Sequence, residues 1–256
     1  MGVELQQADQ GDVGGERPAA SALELPIAEA FLSIQGEGKL TGLPTWFVRV
    51  SGCNLRCVWC DTPYASWAPE GGRIAIDTLV AQARGSGARH VVLTGGEPML
   101  FPQVVPLSHA LRDVGLHVTI ETAGTVDQAG VHADLMSLSP KLANSTPVND
   151  PRDPGGAWAA RHEARRLDFA VLNTLIARFP DRQLKFVVND PNDLTEIEEM
   201  LGRLSGWAPA DVMLMPEGVT TPEPSSVRWI AEACLERGWR YCHRLHIELF
   251  GDTRGT

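Results

Sequence analysis

Cysteine is scarce in this 256-residue chain, which has five, and three of them lie close together at positions 53, 57 and 60. Disulfide pairing would leave one of these three unpaired. No apolar run is long enough to cross a bilayer. The N-terminus also lacks the basic and apolar regions of a secretory signal. We therefore expect a soluble, cytoplasmic protein in a reducing compartment, with no membrane partner.

Basic residues are also few, with 22 Lys and Arg against 32 Asp and Glu, giving a net charge of -10. Nucleic-acid-binding surfaces are typically basic, so we expect no nucleic-acid partner. A hydrophobic content of 43% in a chain of this length is enough for one large domain. Residues 1–22 are rich in Gly, Gln, Ala and Asp. We predict a disordered leader over 1–22 and a single domain over 23–256.

The remaining sequence alternates short β-branched runs with longer amphipathic segments, which is typical of an α/β fold with a parallel sheet. The predicted strands are 46–50, 90–94, 118–121, 135–139, 184–188 and 212–215, with an extra strand near 28–33. The predicted helices are 77–84, 103–113, 168–179, 193–204 and 225–237. Right-handed crossovers would curl six such strands into a partial (β/α)6 barrel, related to the TIM barrel. Residues 143–166 interrupt this rhythm, and we interpret them as an insertion or lid.

Helix 225–237 is predicted to bury one apolar face, formed by Val227, Ile230, Ala231, Cys234 and Leu235. Cys234 is then a packing residue. Cys234 and Cys242 form no recognisable metal-binding spacing, so neither is a candidate for chemistry.

The three clustered cysteines, Cys53, Cys57 and Cys60, form a C-x3-C-x2-C loop directly after the first predicted strand. A four-iron four-sulfur cluster normally takes four thiolates, so three would leave one iron open for another ligand. A structural zinc site usually has a fourth Cys or His, in paired C-x2-C halves, and no second half is present. Neighbouring polar and turn-forming residues also argue against three unrelated buried cysteines. The loop therefore favours a reactive iron-sulfur cluster, with zinc as the alternative.

Further motifs follow the other strands: Thr94-Gly-Gly-Glu-Pro98 ends the second, and Ser139-Pro-Lys141 ends the fourth. The carboxyl ends of barrel strands carry the functional loops, so these motifs are expected to meet the cysteine loop. Gly95 and Gly96 would allow close backbone approach and leave amide groups free, and Glu97 could accept a bond from an ammonium group. Alone, Gly-Gly-Glu-Pro would be equally consistent with a simple turn.

Together, the cysteine loop and the Gly-Gly-Glu-Pro turn resemble the radical S-adenosylmethionine (SAM) superfamily. The resemblance implies a cluster on Cys53, Cys57 and Cys60 whose open iron is chelated by SAM. Reductive cleavage of SAM then gives a 5'-deoxyadenosyl radical. The positions that match the superfamily's SAM contacts are Trp59, Cys60, Asp61, Gly95, Gly96, Glu97, Ser139, Pro140 and Lys141.

Residues 31–38, 41–49, 52–62, 139–144 and 244–246 narrow the resemblance to the 7-carboxy-7-deazaguanine synthase family. The family implies Mg²⁺-dependent ring contraction of 6-carboxy-5,6,7,8-tetrahydropterin to 7-carboxy-7-deazaguanine, with loss of ammonia. This carbon-nitrogen lyase reaction feeds 7-deazapurines such as queuosine precursors. The family also implies a homodimer, and a flavodoxin or ferredoxin is expected as the electron donor by analogy.

The family pattern places the substrate against Ile34, Gln35, Gly36, Glu37, Arg49, Thr94 and His246, and Mg²⁺ on Thr62. An amide and a carboxylate suit the donor and acceptor edge of a pterin. Arg49 could pair with a substrate carboxylate or, alternatively, form a structural ion pair with an Asp or Glu. Without the resemblance, the hydroxyl of Thr62 would be assigned to a helix cap or a turn.

Two other functions stay open at this point. A radical SAM activase that makes a glycyl radical on a partner protein has the same cysteine spacing, although residues 35–38 and Thr62 argue against it. A non-catalytic zinc module would explain the cysteines but not the Gly-Gly-Glu-Pro turn. The C-terminal residues 251–256 match no pattern that we can assign.

Overall fold

A computed structural model describes residues 23–256. Within them, nine strands form one sheet in the order β3-β1-β2-β4-β5-β6-β7-β8-β9. The strands are β1 (Glu24–Ile34), β2 (Pro44–Val50), β3 (Gly72–Ala75), β4 (His90–Gly95), β5 (His117–Thr122), β6 (Leu135–Leu138), β7 (Arg182–Val188), β8 (Val212–Pro216) and β9 (Arg240–Tyr241). The pairs from β2 through β9 are parallel, and the sheet does not close on itself. This architecture confirms the predicted α/β fold with a partial barrel.

Seven helices accompany the sheet in the described part of the chain. They are α1 (Ile76–Gly85), α2 (Val104–Asp113), α3 (Ala157–Arg165), α4 (Phe169–Arg178), α5 (Asp193–Gly202), α6 (Pro224–Arg237) and α7 (Leu245–Phe250). The six predicted parallel strands and five predicted helices are all present, with ends that differ by one or two residues. The apolar runs predicted the strands reliably because parallel strands are covered on both faces. All of β8, for example, is buried.

Four elements were not predicted, namely β3, β9, α3 and α7. The extra strand near 28–33 is the longer β1, which pairs antiparallel with both β2 and β3. The sheet therefore has an antiparallel edge beside its parallel centre. The proposed leader, 1–22, lies outside the described residues. No helix in residues 23–256 is long and apolar enough to span a membrane.

The predicted buried face of α6 was partly wrong. Ile230 and Cys234 are buried as expected, but the third buried residue is Ala233. Leu235 is 84% exposed, because it lies on the opposite side of the helix from Ile230. Cys242 is buried in a small apolar cluster with Val187, Met213 and Met215, against which Trp59 packs.

Candidate active site

A cavity of about 520 Å³ lies where the motifs at the carboxyl ends of the parallel strands meet. This volume suits a small molecule. Every predicted site residue lines the cavity except Glu97 and Pro140. No residue of 143–166 is among the lining residues of the cavity.

The cysteine loop forms one wall of this cavity. Its base is closed by a hydrogen bond from the Gly52 amide to the Ala65 carbonyl, 2.8 Å long. Burial raises the pKa of the Cys53 and Cys57 thiols to about 12. The Cys60 sulfur lies 3.2 Å from the Ser66 hydroxyl. Thiols whose pKa is raised in this way become thiolates only if a positive group offsets the loss of solvation, and bound iron would supply that charge.

The donor set fits an iron-sulfur cluster. No group of three or more His, Cys, Asp or Glu side chains in residues 23–256 is arranged around a single metal ion. The thiolates of a four-iron cluster bind different irons, so they need not converge on one point. Cys53, Cys57 and Cys60 all face the cavity and are not paired in disulfides.

The two glycines where β4 ends, Gly95 and Gly96, are required because β2 and the cysteine loop approach them closely. A Cβ on Gly96 would lie 2.1 Å from the Gly52 carbonyl oxygen, and one on Gly95 would lie 2.3 Å from the Val50 oxygen. The amides of Gly96 and Glu97 donate to Val50 and Gly52 at 3.1 and 2.9 Å. The expectation of free amide groups was therefore wrong for Gly96, whose amide binds the end of β2, while the Glu97 amide binds the cysteine loop.

Glu97 is fully buried beneath the cavity. One carboxylate oxygen accepts hydrogen bonds from the Met99 amide at 3.0 Å and the Thr122 hydroxyl at 2.8 Å. The other accepts from the Ala123 amide at 2.8 Å. Burial raises the pKa of Glu97, and these donors oppose the rise. The carboxylate thus joins the ends of β4 and β5, a role that sequence reasoning did not foresee.

A second polar group lies where β1, β4 and β5 end. Gln35 donates to one oxygen of Glu121 at 3.2 Å, and Thr94 donates to the other at 3.0 Å. The Gln35 side-chain oxygen accepts from the Glu37 amide at 3.2 Å. These bonds fix the amide orientation of a side chain that is only 5% exposed. They hold an amide, a hydroxyl and a carboxylate together at the cavity wall.

Glu37 is held by two cations. Its carboxylate bonds Lys185 through one oxygen and Arg244 through the other, the latter at 3.1 Å. Burial opposes ionisation of Glu37, but Lys185, Arg244 and His246 outweigh it and lower its pKa. Burial likewise disfavours the charge on Lys185, yet Glu37 and Glu121 raise its pKa. These shifts favour the charged forms of Glu37 and Lys185, although water is largely excluded.

Arg49 forms the structural ion pair that the sequence left as one of two alternatives. Its Nε donates to Glu29 at 2.7 Å, and the Tyr64 hydroxyl donates to the same oxygen at 2.7 Å. Arg254, from the C-terminal segment, reaches the other Glu29 oxygen at 3.3 Å. Arg49 still lines the cavity, so this ion pair sets the position of a guanidinium at the wall.

The remaining predicted residues lie around these groups. Thr62 precedes a short 3₁₀ helix, but its side chain does not cap that helix. Its hydroxyl lies 3.8 Å from the Cys60 sulfur. Asp61 bonds Arg244. His246 packs on Gly36, where a Cβ would fall 1.9 Å from the His246 Nδ1.

The turn after β6 lies beside the cysteine loop. The Lys141 ammonium donates to the Ser139 hydroxyl at 2.7 Å and lies 5.6 Å from the centre of the Trp59 ring. The Trp59 indole nitrogen donates to Asn144 at 3.2 Å. Pro140 is buried behind this turn. A cation and an indole therefore face the cavity next to Cys60.

Residues 47–167 match the radical SAM superfamily. Over 238 residues the chain is 48% identical to the 7-carboxy-7-deazaguanine synthase of Rhodopirellula baltica, covering 93% of this chain and 91% of the relative. It is 46% identical to the enzyme of that name from Halobacterium salinarum, covering 96% of both. The chain belongs to the 7-carboxy-7-deazaguanine synthase family. Membership confirms the resemblance that the sequence motifs carried.

Solved structures agree with this assignment to the synthase family. The crystal structure of QueE from Escherichia coli aligns with a TM-score of 0.67 at 27% identity, covering 89% of this chain and 96% of that one. SuiB from Streptococcus suis, bound to its precursor peptide SuiA, shares the fold, with a TM-score of 0.53 at 12% identity. Radical SAM synthases of this kind are enzymes that use a four-iron cluster and SAM. They also need a small-molecule substrate and a reductant.

Four parts of this candidate site were missed from the sequence. Glu121 was identified only as a strand end, and Lys185 was hidden in an apolar strand. Arg244 was noted only as part of a matching motif. Residues 251–256, which the sequence left unassigned, also line the cavity, with Arg254 3.9 Å from the centre of the Tyr64 ring. A charged residue inside an otherwise apolar run was the available signal for Lys185.

Proposed function

We propose that the protein is a 7-carboxy-7-deazaguanine synthase, converting 6-carboxy-5,6,7,8-tetrahydropterin to 7-carboxy-7-deazaguanine with release of ammonia. The observation that carries this proposal is the meeting of the cysteine loop and the Gln35–Glu121–Thr94 group in one cavity. The names of relatives at 46–48% identity support it. We further propose that the product feeds 7-deazapurine synthesis of the queuosine type.

When bound, the cluster and SAM supply the radical that removes a hydrogen atom from the substrate. The protein's own task is then to bind and orient both molecules. We assign Cys53, Cys57 and Cys60 to the cluster. We assign SAM to the surrounding positions Trp59, Cys60, Asp61, Gly95, Gly96, Glu97, Ser139, Pro140 and Lys141. Lys141 and Trp59 offer a cation and an aromatic face at this wall.

The substrate is assigned to a polar part of the cavity wall, formed by Ile34, Gln35, Gly36, Glu37, Arg49, Thr94 and His246. A pterin presents adjacent N–H donors and a carbonyl, and the fixed amide of Gln35 can meet either kind of group. Glu121 adds a carboxylate acceptor that the sequence did not suggest. An analogue lacking these donors would leave that carboxylate unpaired, which is a strong basis for rejection. Arg49 bonds Glu29 through its Nε, and we assign its two terminal nitrogens to the substrate carboxylate.

We propose Mg²⁺ at Thr62, completed by substrate and water oxygens, because hard cations need several oxygen ligands. The Thr62 hydroxyl supports this assignment, since it makes no helix cap and its one side-chain contact is a long one to the Cys60 sulfur. A homodimer and a flavodoxin or ferredoxin donor stay predictions from the family resemblance.

The test is anaerobic turnover of reconstituted protein with reductant, SAM, Mg²⁺ and 6-carboxytetrahydropterin. Mass spectrometry is expected to detect 7-carboxy-7-deazaguanine, and Cys57→Ala is expected to form none. Formation of 5'-deoxyadenosine without the deazaguanine would overturn the substrate assignment and favour another radical SAM reaction, such as that of an activase.

The metal is tested with a matched pair of variants. Thr62→Ser keeps the hydroxyl and is expected to keep its response to added Mg²⁺. Thr62→Val keeps the shape without the hydroxyl and is expected to need more Mg²⁺ or to lose the response. Equal Mg²⁺ dependence in both variants would contradict a magnesium site at this residue.

A further inference from the structure

The segment 143–166, predicted as an insertion or lid, packs against the back of the cysteine loop. The amide of Val58 donates to the Ser145 carbonyl at 2.8 Å, and the Val58 carbonyl accepts from Arg152 at 2.8 Å. The Arg152 guanidinium also lies 4.1 Å from the centre of the Trp67 ring, beyond the loop. Both backbone groups of one loop residue between two cysteines are therefore held by this segment.

His162, on α3, makes the deepest of these contacts. It is fully buried, and its Nδ1 lies 3.1 Å from the backbone amide of Arg56. An amide can only donate, so Nδ1 must be the unprotonated acceptor and Nε2 must carry the hydrogen. Nε2 then donates to the Ser145 hydroxyl at 2.8 Å, which donates to the Leu142 carbonyl at 2.6 Å. Each polar group in this series of hydrogen bonds has a partner.

Arg56 completes the contact from the loop side. Its guanidinium donates to the carbonyls of Cys53 and Leu55, at 2.8 and 2.7 Å, and so holds the loop in a tight curve. The same guanidinium lies 4.1 Å from the centre of the Trp158 ring, on α3. The Trp158 indole therefore covers the Arg56 guanidinium, and Arg56 is only 8% exposed.

Helix α3 is itself fixed at both ends. At its start, the Asp153 carboxylate accepts from the Trp158 and Ala159 amides, at 2.8 and 2.9 Å. Just after its end, Arg166 donates to the Lys141 carbonyl at 2.9 Å and to Glu196 at 2.7 Å. Because α3 is held at both ends, its side chains keep a fixed position beside the cysteine loop.

We propose that residues 143–166 form a brace for the cysteine loop, in which His162 is the positioning residue. The brace fixes the loop in the curve that presents Cys53, Cys57 and Cys60 to the cluster, and covers the loop's outer side. It therefore determines how long the cluster is retained and how quickly oxygen destroys it. This inference rests on the proposed cluster but not on the pterin substrate.

Three substitutions separate positioning from general stability. His162→Asn places an amide oxygen where Nδ1 accepts from Arg56. His162→Gln places its amide near Nε2, so it keeps the Ser145 contact and loses the Arg56 contact. His162→Leu loses both. Ser108→Ala, which removes a buried hydroxyl on α2 that bonds Val105 and His132 and no residue of the loop, controls for general loss of stability.

The first readout is hydrogen exchange of the peptide containing the Arg56 amide in cluster-free protein. Leaving a buried amide without its acceptor favours local opening, so exchange is expected to rise roughly 5- to 50-fold in the Gln and Leu variants. His162→Asn is expected to stay near the parent value. Ser108→Ala is expected to leave this peptide unchanged.

The second readout is the cluster itself, measured as iron and sulfide content, the half-life of its visible absorbance in air, and the electron paramagnetic resonance spectrum with SAM. The Gln and Leu variants are expected to bleach faster and to broaden the spectrum, while Asn restores both properties. Equal exchange and equal bleaching in the Asn and Gln variants would overturn the proposal, even if His162→Leu fails to fold. A parent protein that binds no cluster would instead count against the proposed function.

Discussion

The ion pair between Glu37 and Lys185 lies in the cavity wall, and both side chains are largely shielded from solvent. Glu37→Gln preserves side-chain size but removes the charge that stabilises Lys185, whose side chain is 7% exposed. Removing one member of a buried pair costs about 3–5 kcal/mol, because the other charge stays buried. Glu121 also offsets the charge of Lys185, so we expect a loss of about 3 kcal/mol.

Lys185→Met is expected to cost less, about 2 kcal/mol, because Arg244 still bonds Glu37 at 3.1 Å. The double variant carries neither buried charge. Its loss should therefore fall short of the sum of the two single losses by at least about 1.5 kcal/mol.

The assay is urea unfolding of the parent, both single variants and the double variant at neutral pH, with the denaturant slope checked for constancy. Additive losses, within about 0.5 kcal/mol, would refute the view that Glu37 and Lys185 stabilise each other. A loss below about 1 kcal/mol for Glu37→Gln would refute the view that water is excluded from Lys185.

Three further predictions concern other parts of the fold. Gly96→Ala places a Cβ 2.1 Å from the Gly52 oxygen and is expected to cost about 1–3 kcal/mol in urea unfolding, whereas Gly85→Ala, with open space around it, should cost nothing. Burial lowers the pKa of His162 from 6.5 to about 4, so the folded state binds this proton less tightly than the unfolded chain. The free energy of unfolding should therefore fall by up to about 3 kcal/mol between pH 6.5 and 4, and His162→Asn should remove that part of the pH dependence. Leu235→Lys should change stability by less than about 0.5 kcal/mol, and a larger loss would contradict its exposed position.

The strands that could be predicted are those whose apolar runs are buried on both faces, such as β8. Strand β3 was missed because it has four residues, two of them exposed, and depends on pairing with β1 rather than on its own pattern. Helix α3 was missed because Pro, Gly and Asp precede it and its helix face buries a histidine rather than aliphatic residues. Both β3 and α3 depend on contacts with distant parts of the chain, and these contacts leave no pattern in the local sequence.

In the candidate site, too, local motifs could be predicted and contacts between distant residues could not. Motifs with fixed spacing, such as the cysteine loop, indicated which residues meet at the cavity. The sequence could not show how they are held, because the partners are far apart in the chain: Gln35 and Glu121 are 86 residues apart, and Glu37 and Lys185 are 148 apart. Arg49 illustrates this limit. A buried guanidinium needs an anionic partner, and from the sequence that partner was equally a substrate carboxylate or an acidic side chain. In the structure, the Arg49 Nε donates to Glu29.

The distance along the chain between the cysteine loop and its supports has a consequence for biosynthesis. The acceptor for the Arg56 amide lies 106 residues later, and Arg152 lies 94 residues after the carbonyl that it binds. While a ribosome is still making the first half of the protein, the three thiols are present but their supports are not. Iron and sulfide delivered at that stage would meet a loop without its final curvature. Efficient maturation is therefore expected after translation, and slow delivery of iron should leave intact apoprotein that can still be loaded.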